Sequence, residues 1–97
     1  MTSEEAIRRL QASAAAFRKA GVKHLYLFGS TARDEASQNS DVDLFFDHEM
    51  GAIGLYELMD IKALATGILG TRADMIPRRG LHPVLREKIE ASAIPIF

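Results

Sequence analysis

Two runs of strand-forming residues constrain the fold of this chain more than any other feature. Residues 23–28 predict a buried strand, and residues 41–46, with the sequence DVDLFF, predict a second one. The second run carries Asp41 and Asp43 where a buried strand should carry apolar side chains. Because side chains alternate between the two faces of a strand, both carboxylates share one face and the apolar residues beside them occupy the other.

Hydrophobic spacing and the residues that start or stop helices predict the other elements. These are helices over 3–19, 54–69 and from Pro83 onward, a helical turn over 30–36, a polar loop over 37–40, a third strand over 71–76 and an edge strand within 93–97. The alternation of helices and strands is typical of the α/β or α+β class. We therefore expect one domain, 1–97, with a small mixed β-sheet covered by helices. In the last helix, Val84, Leu85 and Ile89 form an apolar face.

Charge and composition exclude several classes of function. With 12 basic and 13 acidic residues, the net charge of -1 lacks the basic excess of nucleic-acid-binding domains, so no direct nucleic-acid binding is expected. The arginine pairs at 8–9 and 78–79 are interpreted as parts of solvated faces. The absence of cysteine excludes disulfides and thiolate chemistry. No apolar run reaches the roughly 18 residues that span a bilayer, so we expect a cytoplasmic protein without a membrane segment.

Asp41 and Asp43 predict a metal site, because two adjacent carboxylates repel each other unless a cation lies between them. A hard divalent ion bound through oxygen, such as Mg²⁺, suits these ligands. A two-ion site usually includes a further carboxylate, and Asp74 is the candidate because it lies within the third predicted strand. The structural alternative is an ion pair of Asp74 with Arg72 or Arg78.

A phosphate site is predicted beside these acids. Gly29 ends the first strand and lets the backbone turn sharply, so that a ligand can approach closely. Ser30 then opens the predicted helical turn, whose free N–H groups attract anions. Arg33 lies one turn further on, where it reaches either a bound phosphate or an acidic partner in an ion pair. The combination predicts a binding site for a nucleoside triphosphate and its metal ions.

Gly29-Ser30, ten further residues and Asp41-x-Asp43 together resemble the signature of the DNA polymerase beta nucleotidyltransferase superfamily. The chain length and the order of elements resemble the smallest members of that superfamily, the minimal nucleotidyltransferases or MNT domains. One departure is Asp34, because many relatives carry glycine at this position. Aspartate tolerates a left-handed backbone better than most residues, so the turn is expected to persist.

The resemblance implies the nucleotidyltransferase fold and a metal-dependent transfer of NMP, most simply AMP from ATP, to an acceptor hydroxyl. It implies that Asp41, Asp43 and Asp74 hold two Mg²⁺ ions, and that Asp74 helps to deprotonate the acceptor. It assigns Gly29 and Ser30 to the β- and γ-phosphates. Stand-alone MNT proteins act as antitoxins of helical HEPN-type ribonuclease toxins. The resemblance therefore also implies such a partner, which is silenced by AMP transfer to one of its tyrosines.

Two alternatives remain open at this level. One is a non-catalytic antitoxin that neutralises its partner by binding alone, with a vestigial site. The other is a small-molecule nucleotidyltransferase whose acceptor pocket forms at a homodimer interface. The binding-only antitoxin requires no catalysis by Asp41 and Asp43. The small-molecule enzyme transfers AMP without a partner protein.

Overall fold

The computed structural model describes residues 1–37 and 39–97, which form four strands and five α-helices. The strands are β1 (His24–Phe28), β2 (Val42–Asp47), β3 (Ala73–Pro77) and β4 (Ile94–Pro95). The helices are α1 (Ser3–Ala12), α2 (Ala14–Lys19), α3 (Gly29–Ala32), α4 (Leu55–Leu69) and α5 (Pro83–Ser92). Gln38, which belongs to the predicted polar loop, lies outside the described residues. Within them, no helix has both the length and the apolar content needed to cross a membrane.

The strands form one mixed sheet in the order β3-β2-β1-β4. β1 is antiparallel to β2 and to β4, whereas β2 is parallel to β3. Parallel neighbours require a crossover connection, which contains α4. β4 lies at the edge, where Pro95 removes no hydrogen bond from a central ladder, as the sequence predicts. The predicted α/β class, with a small mixed sheet and packed helices, is confirmed.

One face of the sheet forms the hydrophobic core with α1, α2 and α4. The buried strand residues include Leu25 and Leu27 of β1 and Val42, Leu44 and Phe46 of β2. The buried helix residues include Leu10, Phe17, Ile61, Ala65 and Leu69. The alternate apolar residues of β2 all lie in this core, as predicted. Its acidic residues therefore project from the opposite face of the sheet.

The predicted helix over 3–19 is two helices, because the chain bends at Ser13. The backbone there has φ -109° and ψ 16°, and the Ser13 N–H donates to the carbonyl of Leu10, three residues back, at 3.1 Å. Serine is a weak helix former, since its side chain competes for backbone hydrogen bonds. After the bend, Phe17 of α2 is fully buried in the core.

The predicted helical turn over 30–36 is shorter, because α3 ends at Ala32. Asp34 then adopts a positive φ of 56°, which confirms the left-handed turn expected at this position. Its carboxylate accepts hydrogen bonds from the Ser3 N–H at 2.7 Å and from the Ser3 hydroxyl at 3.0 Å. An acidic group at a helix N-terminus also interacts favourably with the helix dipole. Asp34 therefore links the turn after α3 to the start of α1.

The packing of α5 depends on an ion pair rather than on its apolar face. Its expected apolar face is exposed: Val84 is 80% exposed, Leu85 is 50% exposed and Ile89 is only partly buried. An ion pair links the helix to the sheet instead, since Glu90 accepts a hydrogen bond from Arg78 at 2.9 Å. Apolar spacing identifies one face of a helix but does not show what covers it.

We expect Leu27→Ala to lower the free energy of unfolding by about 2–5 kcal/mol, because it removes a fully buried side chain and leaves a cavity. Leu55→Ala is the matched control. Leu55 is 71% exposed, so its truncation should change the free energy of unfolding by less than about 0.5 kcal/mol. Urea unfolding followed by circular dichroism measures both. Equal losses in the two variants would contradict the assigned core.

Candidate active site

The pairing register of β2 brings the predicted acids together. Asp43 lies opposite Asp74 of the parallel strand β3 and opposite Phe28 of the antiparallel strand β1. Paired residues on neighbouring strands project from the same face of a sheet, so Asp43 and Asp74 are direct neighbours. Asp41 lies two residues before Asp43 and shares that face. Gly29 follows Phe28 and therefore begins α3 next to the same acidic cluster.

Gly29 brings the backbone against the carboxylate of Asp43. Its φ of +76° lies in the left-handed region, which residues with a side chain rarely adopt. A Cβ atom at this position would lie 3.1 Å from Asp43 Cγ and would overlap the carboxylate oxygen Oδ2. Glycine is therefore required by the backbone conformation and by the close approach, and the sharp turn predicted at Gly29 is present.

Ser30 lies on α3, and Arg33 directly follows this helix. Ser30 is partly buried, and its carbonyl accepts a hydrogen bond from the Glu35 N–H at 2.8 Å. Arg33 Nε lies 3.0 Å from Glu35 Oε2, and the arginine side chain is 58% exposed. The ion-pair alternative for Arg33 is therefore realised, although an exposed pair of this kind contributes little stability. Because the pair is solvated, Glu35 holds the guanidinium only weakly.

The surroundings of Asp43 disfavour its charged form. Burial raises the pKa of Asp43 above the ordinary value of 3.8, and the charges of Asp74 and Asp41 raise it further. The charge of Arg33 acts in the opposite direction. Within residues 1–37 and 39–97, Asp43 forms no ion pair. The repulsion predicted for the Asp41-x-Asp43 pattern is therefore present.

Asp41 and Asp74 each have a cationic partner. Arg72 Nε lies 3.0 Å from Asp41 Oδ1, and Lys62 Nζ lies 3.5 Å from Asp74 Oδ1. The alternative that Asp74 pairs with Arg72 or Arg78 is wrong, because Lys62 of α4 is its partner. Sequence reasoning missed Lys62, since no local spacing links a residue of α4 to the strand that follows it.

The acidic cluster fits a hard divalent cation by donor type and by charge. Its three carboxylates share one sheet face and offer the oxygen ligands that Mg²⁺ prefers. In the part of the chain that the structure describes, no three acidic or histidine side chains surround a common point as in an assembled metal site. Arg72 and Lys62 instead engage the outer two carboxylates. The acids are thus neighbours, and their role as metal ligands stays a prediction.

A cavity of about 260 Å³ opens beside Gly29. Phe28, Gly29 and Arg33 line one side and α5 lines the other, and none of the described lining residues is acidic. Cationic and apolar surface therefore lies next to the acidic cluster. A larger cavity of about 390 Å³ lies at the opposite end of β1, around Arg18 and His24. None of the predicted site residues lines that larger cavity.

The same sheet face carries an aromatic platform that the sequence did not reveal. The rings of Tyr26 and Phe45 stack with centroids 4.7 Å apart, and the Arg78 guanidinium lies 4.8 and 5.0 Å from these two centroids. Arg78 also donates two hydrogen bonds to Asp47, at 2.7 and 3.0 Å, which raise the pKa of Arg78. The prediction that Arg78 belongs to a solvated face is therefore wrong. Its hydrogen bond to Glu90 joins α5 to this face.

The sequence matches the model of the nucleotidyltransferase domain over residues 8–96. This range includes all of the predicted site residues. A candidate protein adenylyltransferase of Methanocaldococcus jannaschii is 32% identical over 79 residues, which make up 81% of this chain and 84% of that relative.

Two solved structures share the fold. That of a candidate minimal nucleotidyltransferase is 37% identical with a TM-score of 0.84, and the match covers 98% of this chain and 96% of the other. The second contains an MNT antitoxin in complex with a tri-AMPylated HEPN toxin of Shewanella oneidensis. It is 13% identical with a TM-score of 0.69, and the match covers 99% of this chain and 72% of the other. At that identity the likeness concerns the fold alone.

Gly29→Ala is expected to lower the free energy of unfolding by about 1–3 kcal/mol, because the new Cβ meets the Asp43 carboxylate in a left-handed backbone. Gly67→Ala is the control. Gly67 lies within α4 with open space around it, so alanine should raise the free energy of unfolding by about 0.5–1 kcal/mol through helix propensity. Urea unfolding measures both variants. A Gly29→Ala protein as stable as the wild type would rule out the close approach.

Asp43→Asn is expected to stabilise the metal-free protein at neutral pH by about 0.5 kcal/mol, because it removes a charge that burial and the neighbouring acids both disfavour. Folding raises the pKa of Asp43, so the folded state holds this proton more tightly than the unfolded state. The wild type therefore loses stability as the pH rises from 3.8 through the raised pKa, and the advantage of the variant disappears at low pH.

Chemical denaturation in a chelating buffer, repeated over a series of pH values, measures this difference. Asp60→Asn is the matched control, because Asp60 is an exposed acid of α4 outside the acidic cluster. Parallel pH profiles for the wild type and Asp43→Asn would contradict the raised pKa of Asp43.

Proposed function

The chain belongs to the nucleotidyltransferase domain family, and we propose that it is a metal-dependent enzyme that transfers AMP from ATP to a hydroxyl group of a partner protein. The observation that carries the proposal is the register of β2, which places Asp43 beside Asp74 and against the backbone of Gly29. The reaction requires acidic metal ligands that lie close to a phosphate-binding turn. The name of the Methanocaldococcus jannaschii relative supports a protein as the acceptor.

Asp41, Asp43 and Asp74 are the residues that would hold two Mg²⁺ ions. When bound, the ions neutralise the charge of the triphosphate and make the acceptor hydroxyl a better nucleophile. Asp43 is the central ligand, since it lies between the other two acids and has no ion pair in the described residues. Asp41 and Asp74 join it by releasing Arg72 and Lys62, whose side chains are 82% and 56% exposed.

The remaining residues position the nucleotide for an in-line transfer. Gly29 lets a phosphate approach the backbone, and Ser30 and Arg33 supply donors for the β- and γ-phosphates. The acceptor oxygen forms a bond to the α-phosphorus, and the bond from the α-phosphorus to the bridging oxygen breaks. Pyrophosphate leaves, and the hydroxyl proton passes to a carboxylate oxygen of Asp74. Holding the two reactants in this geometry supplies much of the rate enhancement.

The partner in this proposal is a HEPN-type toxin in the cytoplasm, with one of its tyrosines as the acceptor. The fold that this chain shares with an MNT antitoxin, whose toxin partner is AMPylated, supports that choice. Exposed apolar side chains on α4 and α5 are of the kind that a protein partner buries. They include Leu55, Tyr56, Met59 and Val84.

A second candidate function is an antitoxin that neutralises its partner by binding alone. The observation in its favour is the engagement of Asp41 by Arg72 and of Asp74 by Lys62. In this form, the acidic cluster is partly neutralised by the chain itself. Binding alone requires no release of these ion pairs.

Incubation with labelled ATP, Mg²⁺ and the product of the neighbouring gene tests the proposal. We expect mass spectrometry to detect AMP on a tyrosine of the partner with the wild-type protein. The double variant Asp41→Ala, Asp43→Ala should reduce labelling to background, because it removes two of the three metal ligands. Glu49→Ala, which changes an exposed acid that lies outside the cluster and outside α4 and α5, should label the partner as the wild type does.

The same experiment separates the two candidate functions. A partner that binds the wild-type protein and stays unmodified would replace the enzymatic proposal with neutralisation by binding. The toxicity assay should agree with that result: the double variant would still protect cells if binding alone were sufficient.

A further inference from the structure

Lys88 is a cation of the cavity beside Gly29 that has no role in the reaction described above. It lines the cavity from α5, across from Gly29 and Arg33. Within the described ranges 1–37 and 39–97, it forms no ion pair, whereas Arg86 on the same helix is paired with Glu90 at 2.7 Å. The Lys88 side chain is therefore available to an incoming anion.

We propose that Lys88 binds the polyphosphate of the nucleotide and that α5 forms one wall of the triphosphate site. The identity of the ligand rests on the proposed function. Arg33 and Lys88 bring two positive charges to a cavity whose described lining residues include no acid. Such a space attracts an anion that carries several charges. Phe28 and Leu85 add apolar surface for the ribose or the base.

Gly29 is the junction between this cavity and the acidic cluster. A Cβ atom at Gly29 would lie against the carboxylate of Asp43. Gly29 also lines the cavity together with Lys88. A phosphate bound over Gly29 therefore has the acids on one side and Lys88 on the other. This division of charge matches a triphosphate whose metal-bound part faces the acids and whose remaining charge faces the cavity.

The position of Lys88 depends on ion pairs that link α5 to the sheet. No residue of α5 is buried, so apolar packing contributes little to holding the helix in place. Glu90, two residues after Lys88, accepts a hydrogen bond from Arg78 at 2.9 Å. Arg78 is in turn bonded twice to Asp47 of β2. These contacts fix Lys88 relative to the strand that also carries Asp43.

Isothermal titration calorimetry with ATP and with AMP, each in the presence of Mg²⁺, tests the proposal on the full chain. We expect Lys88→Gln to weaken ATP binding about tenfold, because one charge-assisted contact to the polyphosphate is lost. AMP binding should change less than about twofold, since AMP lacks the β- and γ-phosphates. Lys88→Arg should restore ATP affinity to within about threefold of the wild type.

The controls separate loss of a ligand contact from loss of structure. Lys19→Gln on α2 removes an exposed lysine far from the cavity and should leave both affinities unchanged. The ATP affinity of Lys88→Gln should also fall less steeply with added salt than that of the wild type, because fewer charges take part in binding. An unfolding curve for each variant checks that the fold is retained.

The outcomes distinguish this inference from the proposed function. Wild-type ATP binding that Lys88→Gln leaves unchanged would overturn the role of Lys88 alone. An equal loss of ATP and AMP binding would also overturn it, because the effect would not depend on the polyphosphate. A wild-type protein that binds neither nucleotide would overturn both the inference and the proposed function.

Discussion

The hydrogen-bonded register of β2 is the constraint on which the site depends. This strand is paired on both edges, antiparallel to β1 and parallel to β3, so Asp43 has a fixed neighbour on each side. A slip of one residue would move Asp43 into the core and Leu44 out of it. Burial of Val42, Leu44 and Phe46 opposes such a slip. The hydrophobic core on one face of β2 therefore determines where the acids lie on the other.

Electrostatic repulsion within the acidic cluster opposes folding, and the chain offsets it unevenly. Asp41 and Asp74 each meet a solvent-exposed cation, whereas Asp43 forms no ion pair in the described residues. A cluster that is fully neutralised by buried cations would leave no free carboxylate for a metal ion to bind. Exposed partners are easily exchanged, since surface ion pairs contribute little stability. The arrangement suits a site in which metal and nucleotide complete the charge balance.

Arg78 connects the sheet to the helix that borders the cavity. It stacks on Tyr26 and Phe45, bonds to Asp47 and reaches Glu90 of α5. A helix without buried residues would otherwise have few constraints on its position. The polar side of α5 therefore matters more to its placement than its apolar spacing.

Features that depend on residues a few positions apart could be predicted from the amino-acid sequence. These are the alternation along β2, the sharp turn at Gly29, the left-handed turn at Asp34 and the spacing that identified the family. Helix and strand ends were predicted less well, as the bend at Ser13 shows, because small differences in backbone hydrogen bonding decide them.

The pairing of charged groups became visible only in the folded chain. Lys62 pairs with Asp74, and Lys88 lines the cavity beside Gly29. In both cases the two residues belong to different elements, so no short sequence pattern connects them. Such contacts arise when packing brings separate elements to the same side of the sheet. Periodicity within one element fixes which side chains share a face, but the surroundings of that face depend on segments elsewhere in the chain.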